Sequence, residues 1–564
     1  MEVYIMVDPN MVETYTVGKE GFIVALCEAL GVPEIFNQSL KSINGRPVDI
    51  PYGIDAMIMM VNMCHDHRAL SRLKEYYEYT DLEGLFHYPI TLDQINDDRF
   101  GGFLDLFYEV GCKKIFSMIA AKAVSLYGIQ INNINFDTTS KVMWGQYETS
   151  EGTMGVIQMD FGHSKDKRED KKQIKFGIGC ANGLMVNAVV LSGNKDDKTY
   201  NTDTLNTLDE TLNNLRVGKD SFYYIADSAL FSKENLTLSS KKGIKLITRI
   251  PDNVLVANSA MEEAVNKLAA LEVTELINAQ DRTTTYRLLE QTCIYQEHEL
   301  KLTVCYSESL KTTKKSTVTK AVEKEKKFIS KNSKALSKRE FACEEDANHE
   351  MEKMNSKEFK KLKFHDISYS LRKEERRKRG RPSKDATPTI PEYRYFMEVT
   401  STVNQDKITR AIDKACCFVL CSNDLNMSGE KILREYKTQD SVEKKFQQLK
   451  SPQFVNSIYI DSPQRIEAFS YLMLICILML SLAEYVVRRG LSQDGDHIIG
   501  PGNVKMKRPT QRAIYDIFYA VRIRVICYPD RPWERSFSRP LNDSLKKVLK
   551  YLNIAEKTFI RGCG

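Results

Sequence analysis

The sequence predicts a mixed α/β fold, a core of strands and helices that is interrupted once and preceded by a mainly helical N-terminal segment. Three observations predict it. Residues 1 to about 125 alternate short apolar and charged segments, and GIDAMIMMVNMCHDHRALSRLKEYY reads as one or two helices. From Ile131 the pattern changes to short β-type runs and then to alternating helix and strand. Pro251 to about Ala415 then breaks the pattern, which resumes at the apolar run CCFVLCSN.

In order, the runs INNINFD, GVIQMDF, QIKFGIGC and LMVNAVVL read as strands, the last two joined by Ala181-Asn182-Gly183 as a hairpin. TLNTLDETLNNL reads as a helix, FYYIAD as a strand ending at Asp227, KENLTLSSKKG as a helix and IKLITRI as a strand. The interrupting segment holds strand-like TTYRLLEQTCIY, LKLTVCYS and YRYFMEVTST, and between them a basic stretch that is either a long helix or partly disordered. After CCFVLCSN, Ser428 opens a helix on which YKTQDSVEKKFQQLK lies. At about 100° per residue, Tyr436, Gln439, Glu443 and Lys450 share one face of that helix, beside an apolar stripe of Val442, Phe446 and Leu449. The expected divisions are 1–125, a helical domain that binds DNA; 126–251 and 416–490, the two parts of the core; 252–415, the insertion, with its basic segment at 311–384; and 491–564, a C-terminal region rich in Arg and aromatics.

Charge and composition narrow the function. The 564 residues carry a formal charge of only +6. Residues 311–384 hold 24 Lys and Arg against 12 Asp and Glu, so the basicity is local and points to a polyanion, with nucleic acid first. Thirteen cysteines without paired spacing, and a start (MEVYIMVDPN) with no basic region followed by an apolar one, suggest a reducing cytoplasm. The longest uncharged apolar run, Ala468 to Ala483, falls short of a membrane span and reads as a buried helix. Cys64, His65, Asp66 and His67 have the composition of a metal cluster, but adjacent residues on a helix point to different sides.

The chain has no GxxxxGK[ST], GxGxxG or HExxH, and GHSKD lacks the final glycine of a nucleophile elbow. Carboxylates at element ends remain. Asp137 ends one strand, Asp227 another, and Glu443 lies on a helix after a third. Neighbouring strand ends converge, and a helix packed across them adds a third ligand; oxygen donors of this kind suit Mg²⁺ completed by substrate phosphate. Asp137 before Thr-Thr-Ser and Asp227 before Ser-Ala-Leu equally suit turns or helix caps.

FDTTS, YIADSALFS and Tyr-x2-Gln-x3-Glu-x6-Lys together resemble the DDE transposases of bacterial insertion sequences, in particular the IS-four-like group whose third motif is Tyr-x2-Arg-x3-Glu-x6-Lys. GHSKDKREDKKQIKFGIGCANGLMVNAVVLSGNKDD is similar to that group's Asp-to-Asp segment, and the likeness runs from about 131 to 490. The resemblance implies an RNase H-like catalytic core, with Asp137, Asp227 and Glu443 holding two Mg²⁺ ions (Mn²⁺ as a substitute), and a mainly β insertion domain. It implies a transposase that binds terminal inverted repeats, cuts double-stranded DNA at the element ends and joins the 3′ ends to a target, acting as a dimer or larger assembly in the nucleoid-bearing cytoplasm with no membrane partner. A nuclease of the same fold without strand transfer, and a non-catalytic DNA-binding relic, are the rival readings.

In that family the positions of Tyr436 and Lys450 contact phosphate beside the cut. Gln439 stands where the family has Arg, and a neutral amide cannot make the same charged fork. Arg379 and Arg381 resemble an AT-hook core that enters a minor groove, or belong to a solvated basic linker. Trp144 either stacks on an unpaired base or fills core.

Overall fold

The computed structural model describes the chain apart from residues 1–7, 9–10, 41–47, 66, 146, 148–154, 278–282, 377–391, 452–457, 459 and 563–564. It divides into two units. The first is Met1–Thr248, Ser422–Asp424 and Arg434–Gly564, and the second is Arg249–Cys421 and Leu425–Leu433.

The first unit begins with β1 (Val12–Thr16) and seven helices: α1 (Gly18–Ala29), α2 (Val32–Ser39), α3 (Tyr52–His65), α4 (Leu73–Tyr77), α5 (Leu82–Phe86), α6 (Asp97–Val110) and α7 (Cys112–Leu126). Side-chain caps start two of them: Asp81 accepts from Gly84 N at 3.0 Å before α5, and Asn96 from Arg99 N at 3.0 Å before α6. The sheet elements follow as β2 (Asn133–Val142), β3 (Gln173–Ala181), β4 (Leu184–Ser192), α8 (Asp197–Leu215), β5 (Tyr223–Ala226), α9 (Lys233–Lys242) and β6 (Lys245–Ile250). Their order in the sheet is β4-β3-β2-β5-β6, with β3 antiparallel to both neighbours and β2, β5 and β6 parallel. The expected hairpin joins β3 to β4 with Asn182 at φ 51° and Gly183 at φ 83°, the two positive values a type I′ turn requires. In β3, Gly177 is fixed by close approach, since a Cβ there would lie 2.2 Å from the Tyr200 ring of α8.

The run GVIQMDF is not a strand: its only pairing is an isolated bridge from Asp160 to Gln173. Its backbone is satisfied by other means, Gln158 N donating to Ser192 Oγ at 3.0 Å and Gly193 N to Gln158 O at 2.9 Å.

The second unit contains α10 (Leu255–Asn266), β7 (Glu272–Ile277), β8 (Thr283–Tyr295), β9 (His298–Ser307), α11 (Lys311–Leu336), α12 (Glu344–Lys357), β10 (His365–Glu375), β11 (Tyr393–Val403), α13 (Gln405–Ala415) and β12 (Cys417–Ser422). Its strands order as β12-β9-β8-β7 with β10-β11 as a separate antiparallel pair. The insertion is therefore as helical as it is stranded, where a mainly β domain was expected. The basic stretch folds as a 26-residue helix because Val318, Ile329 and Leu336 fall on one side of it. Leu336 joins Phe341, Ala347, Met351, Phe359, Met397 and Val399 in one apolar cluster.

The chain continues through α14 (Gly429–Lys437), α15 (Asp440–Leu449), α16 (Pro463–Asp494), β13 (Ile498–Ile499), β14 (Lys505–Met506), α17 (Gln511–Asp516), β15 (Arg522–Ile526), β16 (Glu534–Phe537) and α18 (Asp543–Tyr551). Ser462 caps α16, Pro463 occupies its first turn, and Gly495 closes it in the left-handed conformation at φ 63°. By length and composition it is the one described helix that could cross a membrane, and 94% of its apolar window is buried in the fold. A helix apolar all round needs cover on every side, and α3, α6, α7, α15, α17, α18 and β4 supply it. For that reason residues 1–125 share a unit with the sheet rather than forming one of their own. β1 pairs with β15, so a strand near the start of the chain joins a sheet with strands from the C-terminal region. None of the twelve described cysteines forms a disulfide.

Leu478, in the middle of α16, is fully buried. Leu478→Ala is expected to destabilise the first unit by about 2–5 kcal/mol through lost burial and the cavity left behind, read as a lowered urea midpoint; a change within about 0.5 kcal/mol would show that α16 is not its core.

Candidate active site

β2 and β5 run parallel in the register Asn133–Tyr223, Ile134–Tyr224, Asn135–Ile225 and Phe136–Ala226. The next residue on each is an aspartate, so Asp137 and Asp227 lie side by side where the β5 pairing stops. Asp227 also caps the turn that follows, its carboxylate accepting from Ala229 N at 3.0 Å, and Thr248 on β6 donates to its carbonyl at 2.6 Å. The cap expected from sequence and a place in the site are thus combined in one residue.

Two residues that sequence reasoning did not single out complete the charge cluster. Lys165 Nζ lies 3.1 Å from Asp137 Oδ1 and 3.7 Å from Asp197 Oδ2, and also donates to the Thr138 carbonyl. Asp197, the first residue of α8, accepts from Thr138 Oγ1 at 2.5 Å. The loop carrying Lys165 is pinned to β2 by Lys165 N donating to Ser140 Oγ at 2.9 Å. Burial pushes Asp137 above the usual carboxylate range; Lys165 and the Thr138 amide pull it down, and Asp197 adds to the rise. Burial likewise raises Asp227, reinforced by the charge of Asp137 and opposed by the Ala229 amide and Lys165. Burial alone would lower Lys165, but Asp137, Asp197 and Asp227 together hold its ammonium above the ordinary lysine range.

β2 presents Asn133, Asn135 and Asp137 on one face by strand alternation. Asn133 Nδ2 donates to Glu435 and Asn135 Nδ2 to Thr438 Oγ1 at 2.8 Å, which fixes the junction of α14 and α15 over that face. At the other end of α15, Lys450 Nζ pairs with Asp166 at 2.5 Å, next to Lys165. Val442, Lys445, Phe446 and Leu449 are buried, and α15 packs on β2, β3 and β4. Glu443, in its first turn between the two tethers, is exposed and makes no hydrogen bond or ion pair with a described residue.

Tyr436 and Glu443 are not on one continuous helix as expected. Amides of Thr438, Gln439, Ser441 and Val442 bond to carbonyls three residues back, a tightening that ends α14 and starts α15. Thr438 drives it: its hydroxyl donates to Glu435 O at 2.6 Å while accepting from Asn135. Gln439 stands in that junction, half-buried, as is Tyr436 on the last turn of α14. Trp144 is 57% exposed, and Arg168 and Lys171 lie 5.4 and 5.3 Å from its ring centre, so the core reading is excluded for it. Arg379 and Arg381 lie outside the described residues. The composition cluster at residues 64–67 does not converge: Cys64 is buried, His65 faces Glu20 at 3.5 Å, and His67 packs edge-on to Phe469 with burial depressing it to about 4; Asp66 lies outside the described residues.

Asp137 and Asp227 fit a hard divalent cation. They are oxygen donors, each held above its usual range by burial, and an ammonium already stands against one of them. Among the described residues no group of three or more His, Cys, Asp and Glu side chains converges closely enough to hold a metal ion unaided.

A sequence model described as a transposase DDE domain matches residues 157–479, a span that contains Asp227 and Glu443 and begins after Asp137. A second, described as a domain of unknown function (DUF4277), matches residues 12–121. A comparison with curated proteins finds no match. Among solved structures, one similar chain comes from the cryo-EM structure of the piggyBac transposase synaptic complex with hairpin DNA, at 10% identity and a TM-score of 0.37, covering 88% of this chain and 78% of that one.

Asp227→Asn keeps an acceptor for the Ala229 amide and removes a buried charge beside Asp137. Because the folded protein holds this carboxyl above its unfolded value, ionisation costs stability increasingly as pH rises from about 4 through the raised value. The variant is therefore expected to match wild type near pH 4 and to melt a degree or more higher at pH 7 by calorimetry. A lower Tm at pH 7 would contradict the repulsion.

Proposed function

This chain belongs to the transposase DDE domain family, and on that premise we propose that it binds the terminal inverted repeats of its own element, cuts DNA at the element ends by metal-dependent phosphodiester hydrolysis, and joins the freed 3′ ends to a target by transesterification. The observation that carries the reading is the parallel register that sets Asp137 beside Asp227. The strand order β4-β3-β2-β5-β6, with β3 antiparallel and the rest of the β2 side parallel, supports an RNase H-like core.

In this reading Asp137, Asp227 and Glu443 hold the Mg²⁺ ions, with Mn²⁺ able to replace them. The support for Glu443 is its place on a helix tied to the Asp137 strand at one end and to the Lys165 loop at the other. A bound divalent cation supplies Lewis-acid polarisation of the scissile phosphate. The chain's own residues do the rest. Lys165 balances the charge of Asp137 and Asp197 before a cation arrives. Lys450 and Tyr436 offer an ammonium and a phenol to phosphate oxygens, while Gln439 contributes only a neutral amide. Trp144, exposed between two cations, is the surface on which an unpaired base stacks. Arg379 and Arg381 enter a minor groove, and α11, with exposed Lys320, Lys327 and Lys331 among nine lysines, follows the DNA backbone. The assembly is a dimer or larger on paired ends, in the nucleoid, and the chain falls in the IS-four-like group.

Asp137→Asn, Asp227→Asn and Glu443→Gln are each expected to lower Mg²⁺-dependent cleavage of a plasmid carrying the flanking DNA by at least about a hundredfold while leaving end binding intact. Near wild-type cutting by any one removes that residue from the site. Wild-type protein given pre-cut ends is expected to join them to a second plasmid, and cutting without joining would make it a nuclease. Neutralising Lys320, Lys327 and Lys331 to Gln together should flatten the slope of log affinity against log salt by about 2–3; an unchanged slope would take α11 off the DNA.

A further inference from the structure

Charge is unbalanced along one side of α16. Glu484 serves two cations at once, with Arg488 Nη2 2.6 Å from Oε1 and Lys445 Nζ 3.5 Å from Oε2. Lys445 is only 2% exposed and reaches Glu484 from α15, two residues beyond Glu443. Arg489, the next residue, donates from Nη1 to the Tyr127 carbonyl at 2.8 Å, and Arg488 Nε donates to the Pro509 carbonyl at 2.8 Å. Arg508 stands on the same hollow and makes no hydrogen bond or ion pair with a described residue. Burial depresses Arg488 despite Glu484, and the charge of Arg508 adds to that.

Arg488, Arg489 and Arg508 line one cavity of about 360 Å³ with Glu484 as the only carboxylate among its described residues, and Ser492, Tyr485 and Asn182 add neutral hydrogen-bonding groups. Three guanidiniums and the buried Lys445 thus face a single acid. Arg508 is exposed and Arg488 and Arg489 are half-buried, so like charges are crowded where water screens them only in part, and an anion between them is favoured. Guanidinium forks match a phosphate group through paired N–H donors, and each arginine here keeps donors that its bonds to described residues do not use. We propose that this cavity binds a phosphate group and completes the charge balance around Glu484. The site also bears on the catalytic helix. A phosphate that pairs with Arg488 relieves Glu484 of one of its two partners and leaves it to Lys445, so occupancy tightens the hold on α15, which carries Glu443.

The phosphate comes either from a DNA backbone, which rests on the function proposed above, or from free phosphate, which does not. Full-length wild type, Arg489→Gln/Arg508→Gln and a control, Lys114→Gln/Lys122→Gln, which removes equal charge from α7, separate these. Inorganic phosphate at 10 mM, against chloride of equal ionic strength, is expected to raise the wild-type and control Tm by about 2 °C and the arginine variant not at all. With duplex DNA, the slope of log affinity against log salt is expected to fall by about 1 in the arginine variant relative to the control. A phosphate effect without a slope change assigns free phosphate, and a slope change assigns the DNA backbone; both uphold the site. Equal phosphate shifts and equal slopes in all three proteins overturn it. Failure of any protein to bind DNA would count against the proposed function alone, since the phosphate arm still decides the cavity. Arg508→Gln by itself, at an exposed position, is expected to move in the same direction by a smaller amount, so a folding defect in the double variant does not obscure the result.

Discussion

The parallel pairing of β2 with β5 forces two aspartates into the same partly buried place. Adjacent like charges with little water between them are unfavourable unless something cationic answers them. In this structure the answer is Lys165, whose ammonium bonds to Asp137 and also reaches Asp197. The surrounding arrangement follows from that constraint. The loop bearing Lys165 is pinned to Ser140, α8 begins at Asp197 where the Thr138 hydroxyl meets it, and the turn after β5 is capped by Asp227 itself. A site that holds charge in this way trades stability for a pre-formed carboxylate pair.

The second support is α16. Because it is apolar on every side, it draws the N-terminal helices, the C-terminal helices and β4 around one axis. At its polar end Glu484 reaches Lys445 and so holds α15 from below, while Asn135 and Asp166 hold that helix at its two ends. The exposed Glu443 thus sits on a helix fixed at three points. That gives a surface carboxylate with no partner among the described residues a defined position.

Much of this was legible in the sequence. The strand that stops just before Asp227, the Asn-Gly hairpin and the buried apolar helix each have a local cause, in turn chemistry or in a run of side chains of one kind; the strand carrying Asp137 was expected to end there but runs on to Val142, because its pairing with β3 continues after the pairing with β5 stops. What was not legible depends on contacts between distant residues. Lys165 and Asp197 stand at the two ends of the GHSKD to GNKDD segment that carried the family resemblance, but nothing local says that they fold back onto Asp137. The polar run YKTQDSVEKK reads as one helix, and only the contact of Asn135 with Thr438 shows why it tightens into two. GVIQMDF has a strand's composition, yet beyond the isolated bridge of Asp160 to Gln173 its backbone partners are a serine side chain and a glycine amide rather than a ladder. The insertion was expected to be mainly β from resemblance alone, whereas the spacing of Val318, Ile329 and Leu336 in this chain specifies a helix.

The central claim is that Asp137, Asp227 and Glu443 together hold the divalent cations of the reaction. The measurement that tests it most directly is iron-mediated backbone cleavage: the full-length protein is loaded with Fe²⁺ in place of Mg²⁺, exposed to ascorbate and peroxide, and its fragments are mapped by mass spectrometry. Cuts clustered beside residues 137, 227 and 443, all suppressed by excess Mg²⁺, are the predicted result. Cuts beside 137, 227 and 197 with none near 443, or a pattern that excess Mg²⁺ leaves unchanged, would contradict the account.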